Sequence, residues 1–135
     1  PPAAPGALGG GVPIGAMMAK GDAATTLGPG QHATTYGGNP LATAAGLAVA
    51  RQIVEKDLLK NVQDRGEQLV KGLEEIRQRH SDVIIDIRGW GLLRGVELSE
   101  ECGMLAGEVV GKAMESGLLL VPAGLRVVRF VPPLV

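Results

Sequence analysis

Charge is spread so unevenly along this chain that it sets the terms for any fold. Residues 1–50 hold two charged side chains, Lys20 and Asp22, among eleven glycines and six prolines, whereas residues 51–98 hold eighteen charged side chains. Solvent-facing surface needs polar cover, so the first fifty residues are expected to lie for most of their length inside something larger, packed where side chains would not fit. The 135 residues are 45% hydrophobic and 20% charged with a net charge of -1. That balance excludes a disordered chain and a basic nucleic-acid arm. With one tryptophan, one tyrosine and one phenylalanine, base-stacking platforms are also excluded, and no nucleic-acid partner is expected. Cys102 is the single cysteine, which rules out an internal disulfide and fits a reducing, cytoplasmic setting. The longest apolar run, Leu41 to Ala50, is half the length a membrane-spanning helix needs, so no membrane is expected. Pro1 to Gly6 has no basic segment and does not read as a secretory signal.

Periodicity organises the rest. Val12 to Ala19 is apolar without alternation and reads as a buried strand with Pro13 at its beginning. Asn39-Pro40 supplies a helix start, a capping side chain followed by a proline whose missing N–H costs nothing there. Apolar residues at helical spacing follow, first Leu41, Ala44, Ala45, Ala48 and Val49, then Leu58, Val62, Leu69, Leu73 and Ile76. Gly66 and Gly72 read as weak places, and Asp57 as a cap for a new helix after a bend. Val83 to Ile87 and Leu92 to Leu98 read as strands joined by a turn over Arg88 to Gly91, Met104 to Glu115 as a helix, and Leu118 to Val121 and Val127 to Val131 as two more strands. The class is α/β, with a final sheet left uncovered on one face.

Several residues carry candidate chemistry. Gly9-Gly10-Gly11 fits neither phosphate-binding glycine pattern and is expected to be a tight turn. Gln31 to Pro40 offers two hydroxyls, Thr34 and Thr35, glycine N–H groups and a helix N-terminus, ingredients suited to an anion; read alone, the segment is equally a capped loop. His32 and His80 are too isolated for a metal pair, and no metal is expected. Lys20 at a strand end is expected to be solvated. Arg129 sits in the apolar run Val127-Val128-Arg129-Phe130-Val131, where a buried guanidinium wants an anionic partner and an outward-facing one does not.

Ala7-Leu8-Gly9-Gly10-Gly11-Val12-Pro13-Ile14-Gly15-Ala16, His32-Ala33-Thr34-Thr35-Tyr36-Gly37-Gly38-Asn39-Pro40-Leu41 and Arg129-Phe130-Val131-Pro132-Pro133-Leu134, in this order and spacing, resemble the C-terminal portion of the class III pyridoxal-phosphate aminotransferases. The histidine-containing loop most resembles the acetylornithine and ornithine branch. The resemblance implies part of a fold type I enzyme. Residues 1–40 would end the large cofactor-binding domain, 41–80 would be an interdomain helical segment, and 81–135 a small C-terminal α/β domain without its last helix. It further implies pyridoxal 5'-phosphate, a homodimer, amino-acid and 2-oxo acid substrates, and a place in amino-acid (arginine) biosynthesis. By position, Thr34 and Thr35 would reach the cofactor phosphate of the neighbouring subunit, and Arg129 would pair with the substrate α-carboxylate. One departure stands out: the family's Schiff-base lysine falls on Gly6, which has no amine, so the isolated chain is expected to be inactive. A non-catalytic dimerisation module derived from such an enzyme is the alternative, and ornithine, succinylornithine and 4-aminobutyrate remain open as donors.

Overall fold

The computed structural model describes residues 8–135. Gly6, where the lysine is expected, lies outside them. The chain divides into two compact units between Asp57 and Leu58, inside the helical segment expected over 41–80.

In the first unit, Val12 N–H donates to the Gly9 carbonyl at 3.1 Å and closes the expected glycine turn. A Cβ at Gly9 would stand 2.1 Å from the Val12 carbonyl oxygen, so only glycine fits that corner. The strand expected over Val12 to Ala19 does not form. A strand is held by hydrogen bonds from a neighbouring strand, and no strand occurs in this unit among the described residues, so hydrophobicity alone does not make one. Nor is the segment enclosed: Met17 is 79% and Met18 97% exposed. A 3-10 helix spans Gly21–Thr25, and helix α1 spans Pro40–Glu55. Asn39 caps α1 as expected, its side-chain oxygen accepting from Ala42 N–H at 3.0 Å. After Lys56 the backbone turns through Asp57 at φ 47, a left-handed residue just past a helix end. Asp57 thus ends α1, and a new helix begins directly after this bend as expected, without a side-chain capping bond from Asp57 among the described residues.

The second unit opens with α2, Leu58–Arg79. Strand β1, Ile84–Trp90, runs further than expected, because Arg88, Gly89 and Trp90 pair with Gly95, Arg94 and Leu93 of β2, Leu93–Leu98. The turn shrinks to Gly91-Leu92, with Gly91 at φ 51 supplying the positive angle a two-residue hairpin requires. Helix α3, Ala106–Glu115, is followed by β3, Val121–Pro122, cut short at its proline, and by β4, Val127–Phe130. The four strands form one antiparallel sheet in the order β1-β2-β4-β3.

Strand alternation separates the two faces of that sheet. One carries Ile84, Val96, Leu98, Val128 and Phe130 and forms the core. Leu69 and Leu73 of α2 cover its first half, and Ala106, Val109 and Val110 of α3 its second. The opposite face carries Asp86, Arg88, Trp90, Leu93, Gly95, Glu97, Val127 and Arg129. Trp90 is 90% exposed there, the open face expected from the sequence.

Candidate functional site

The candidate residues fall in both units. In the first, the loop before α1 uses most of its own polar groups. Thr34 Oγ1 accepts from Gly37 N–H at 3.1 Å, and a Cβ at Gly37 would come within 2.1 Å of Thr34 Cγ2, so the turn folds tightly onto that threonine. Asn39 Nδ2 donates to the Tyr36 carbonyl at 2.9 Å while its oxygen takes the Ala42 N–H, and Pro40 has no N–H to offer. These bonds consume donors that an anion would need. The hydroxyl of Thr35 is exposed and enters no hydrogen bond among the described residues. The pair differs in role but not in donor capacity: Thr34 accepts within the turn and keeps its own O–H to donate, and Thr35 makes no bond among the described residues. His32 and Lys20 are exposed.

In the second unit, alternation along β4 sends Val128 and Phe130 into the core and Arg129 to the opposite face. The strand is apolar on both sides of Arg129, yet the guanidinium is not in the core. It is half-buried, and its Nε is fully shielded with no hydrogen-bond partner among the described residues. An unpaired buried donor of a charged group is costly and calls for an acceptor.

Carboxylates are present on that face, but they are engaged. Arg88 bonds Asp86 at 2.7 Å and also bonds Glu97. The hydrogen bond from Arg88 is the main cause holding the Asp86 carboxyl below its ordinary value of 3.8, and Asp86, then Glu97, push Arg88 up in return. Sequence reasoning missed this triad. Its signal was present as charges two apart, Asp86 and Arg88, beside a strand carrying Glu97, but it becomes readable only once the β1–β2 register is known. Elsewhere Cys102 Sγ donates to the Ser99 carbonyl at 3.0 Å. Among the described residues no group of three or more His, Cys, Asp or Glu is placed to hold a metal, and no helix is long and apolar enough to cross a membrane.

Comparison with known proteins gives these residues a context. Residues 3–135 match the family described as aminotransferase class-III. The acetylornithine aminotransferase of Thermosynechococcus vestitus is 55% identical over 128 residues, which cover 95% of this chain and 31% of that protein. The acetylornithine aminotransferase of Synechocystis sp. is 56% identical over 128 residues, covering 95% and 30%. Among solved structures, the Plasmodium falciparum ornithine delta-aminotransferase matches with a TM-score of 0.82 at 34% identity, covering 95% of this chain and 32% of that one. The acetylornithine aminotransferase from Elizabethkingia anophelis matches with a TM-score of 0.78 at 30% identity, covering 95% and 32%. The ornithine aminotransferase of Toxoplasma gondii, with a TM-score of 0.80 at 37% identity and coverage of 96% and 31%, carries PLP at partial occupancy in its active site. The chain thus spans about a third of the length of the relatives it matches.

Proposed function

This chain belongs to the class III aminotransferase family, and we propose on that footing that it supplies the substrate-carboxylate and cofactor-phosphate contacts of an enzyme moving an amino group from N-acetylornithine, or a related ω-amino acid, to 2-oxoglutarate. Pyridoxal phosphate, when bound, supplies the electron sink on which the amino group is exchanged. Arg129 presents a planar fork of N–H donors to the α-carboxylate, which orients the substrate and neutralises its charge. Thr34 and Thr35 donate their hydroxyls to the cofactor phosphate of the neighbouring subunit in a cytoplasmic homodimer. Residues 1–40 are read as the end of the cofactor-binding domain and 81–135 as the small domain.

The reading rests on one observation: Arg129 Nε is buried without an acceptor while the carboxylates bonded on its sheet face are held by Arg88. The half-buried guanidinium keeps its terminal Nη donors for a substrate carboxylate, which neutralises a charge met by no carboxylate among the described residues. Titration calorimetry with 2-oxoglutarate tests it. Arg129→Leu is expected to lose about 2 to 5 kcal/mol of affinity, and unchanged binding takes Arg129 out of the site.

Gly6 gives the chain no amine at the family's cofactor-linked position, and Lys20 lies fourteen residues further on. The isolated chain therefore performs neither the covalent capture nor the proton transfer. Borohydride treatment after incubation with stoichiometric pyridoxal phosphate is expected to label the exposed lysines Lys20, Lys56, Lys60, Lys71 and Lys112 without preference; label concentrated on one of them and lost in Lys20→Ala overturns this. Gly6 is also the observation favouring the second reading, a non-catalytic dimerisation module. A stable homodimer on gel filtration with no affinity for carboxylates selects that module.

A further inference from the structure

Glu97 stands between two arginines. On β2 it lies directly opposite Asp86 of β1 on one side and Val127 of β4 on the other. Gly95, two residues earlier on the same face, lies opposite Arg88 and Arg129. Both arginines are therefore diagonal neighbours of Glu97, at roughly 7–8 Å, within reach of side chains this long. The residue between them carries no side chain to keep them apart. Glu97 nonetheless pairs with Arg88, and Arg129 Nε is left without a partner.

The choice has a physical cause. Asp86 and Glu97 face each other as like charges across the ladder, a destabilising arrangement unless a cation lies between them. Arg88 bonds both at once. Arg129, two strands away from Asp86, is a diagonal neighbour of Glu97 alone.

We propose that Arg88 is a positioning residue that holds Glu97 away from Arg129 and so keeps that guanidinium open to a substrate carboxylate. The proposal rests on the assignment of Arg129 to that carboxylate. Without Arg88, Glu97 loses its clamp, is repelled by Asp86, and finds Arg129 the nearest cation on its face. An internal carboxylate then competes with the substrate for the same fork of donors. Arg88 touches no substrate and acts through Glu97.

The test is titration calorimetry of glutarate into the purified native protein and its variants, each checked for folding by circular dichroism. Arg88→Gln is expected to weaken glutarate about fivefold, the upper range for one partly exposed ion pair. Arg88→Gln with Glu97→Gln restores the affinity. Arg88→Gln with Asp86→Asn, which has the same net charge, does not, because Asp86 lies on the strand remote from β4. Equal rescue by both double variants would assign the loss to general electrostatics, and rescue by neither to disrupted structure; either outcome overturns the proposal, as does unchanged affinity in Arg88→Gln. The Nε–H resonance of Arg129 gives a second readout. It should shift on glutarate addition in the native protein, and in Arg88→Gln it should already lie near the ligand-bound position. If Arg88→Gln does not fold, Arg88→Lys is read the same way, with a smaller loss again rescued only by Glu97→Gln. Retained glutarate binding in Arg129→Leu is a separate outcome that overturns the functional assignment itself.

Discussion

Gly66 of α2 meets Gly91 at the tip of the β1–β2 hairpin backbone to backbone. A Cβ on residue 66 would stand 2.7 Å from the Gly91 carbonyl oxygen and 2.9 Å from its carbon, and a Cβ on residue 91 would stand 2.6 Å from Val62 Cγ1. The sequence suggests that Gly66 is a soft spot, but the structure makes it the residue that lets α2 approach the sheet.

Two effects oppose each other in Gly66→Ala. Alanine in a helix interior gains about 1 kcal/mol over glycine, while a methyl forced into close-packed surroundings costs typically about 1–3 kcal/mol. The obstructing atoms are backbone and cannot rotate aside, so the clash wins. Urea unfolding is expected to show a net loss of about 1 kcal/mol. Gly72→Ala, with nothing within 4 Å of its Cβ, is expected to gain stability instead. Equal gains at both positions would mean that the contact at Gly91 is loose.

Leu73 and Leu59 lie on the same helix in opposite environments. Leu73, 5% exposed, packs with Ile84 and Val96, whereas Leu59 is 62% exposed. Leu73→Ala is expected to cost about 2–5 kcal/mol, and Leu59→Ala about 0.5 kcal/mol or less. Similar midpoints for the two variants would contradict the placement of the core between α2 and the sheet.

Asp86 links stability to pH. Its carboxyl titrates below the ordinary value of 3.8 because Arg88 bonds the ionised form. A depressed folded-state value favours the folded state above pH 3.8, and the contribution is lost as pH falls through the lower value. The unfolding midpoint of the native protein should therefore exceed that of Asp86→Asn at neutral pH and converge with it in acid below pH 3.8. Both side chains are about half exposed, so high salt should narrow the gap as well. A gap that persists into strong acid would point to another cause.

The two neighbouring threonines should separate in a single experiment. Thr34→Ala removes the acceptor for Gly37 N–H and is expected to cost about 1 kcal/mol of stability. Thr35→Ala removes no internal bond, so it should leave stability unchanged while hastening loss of pyridoxal phosphate from the assembled enzyme during dialysis. Thr34→Ala is expected to hasten that loss as well, and full cofactor retention in both variants would take the pair out of the phosphate site.

Local signals were legible in the order of residues because they act over a few positions. Asn39-Pro40 started a helix because a side-chain acceptor and a proline satisfy a helix start without help from elsewhere. Helical spacing on α2 identified Leu69 and Leu73 on its buried side, since a period of 3.6 survives in any setting. The motifs carrying the family resemblance were equally visible, and it is that resemblance which gives Gly6 its meaning.

What depended on partners distant in sequence was not legible. Val12 to Ala19 read as a strand, but a strand is a property of two segments. Gly66 could not reveal that Gly91, twenty-five residues on, would lie against it. Thr34 and Thr35 looked alike until one hydroxyl was seen to close a turn. Above all, register decided which of two arginines Glu97 would bond and which would be left open. Sequence supplies the charges and the alternating faces, whereas pairing across strands sets the distances on which every electrostatic preference depends.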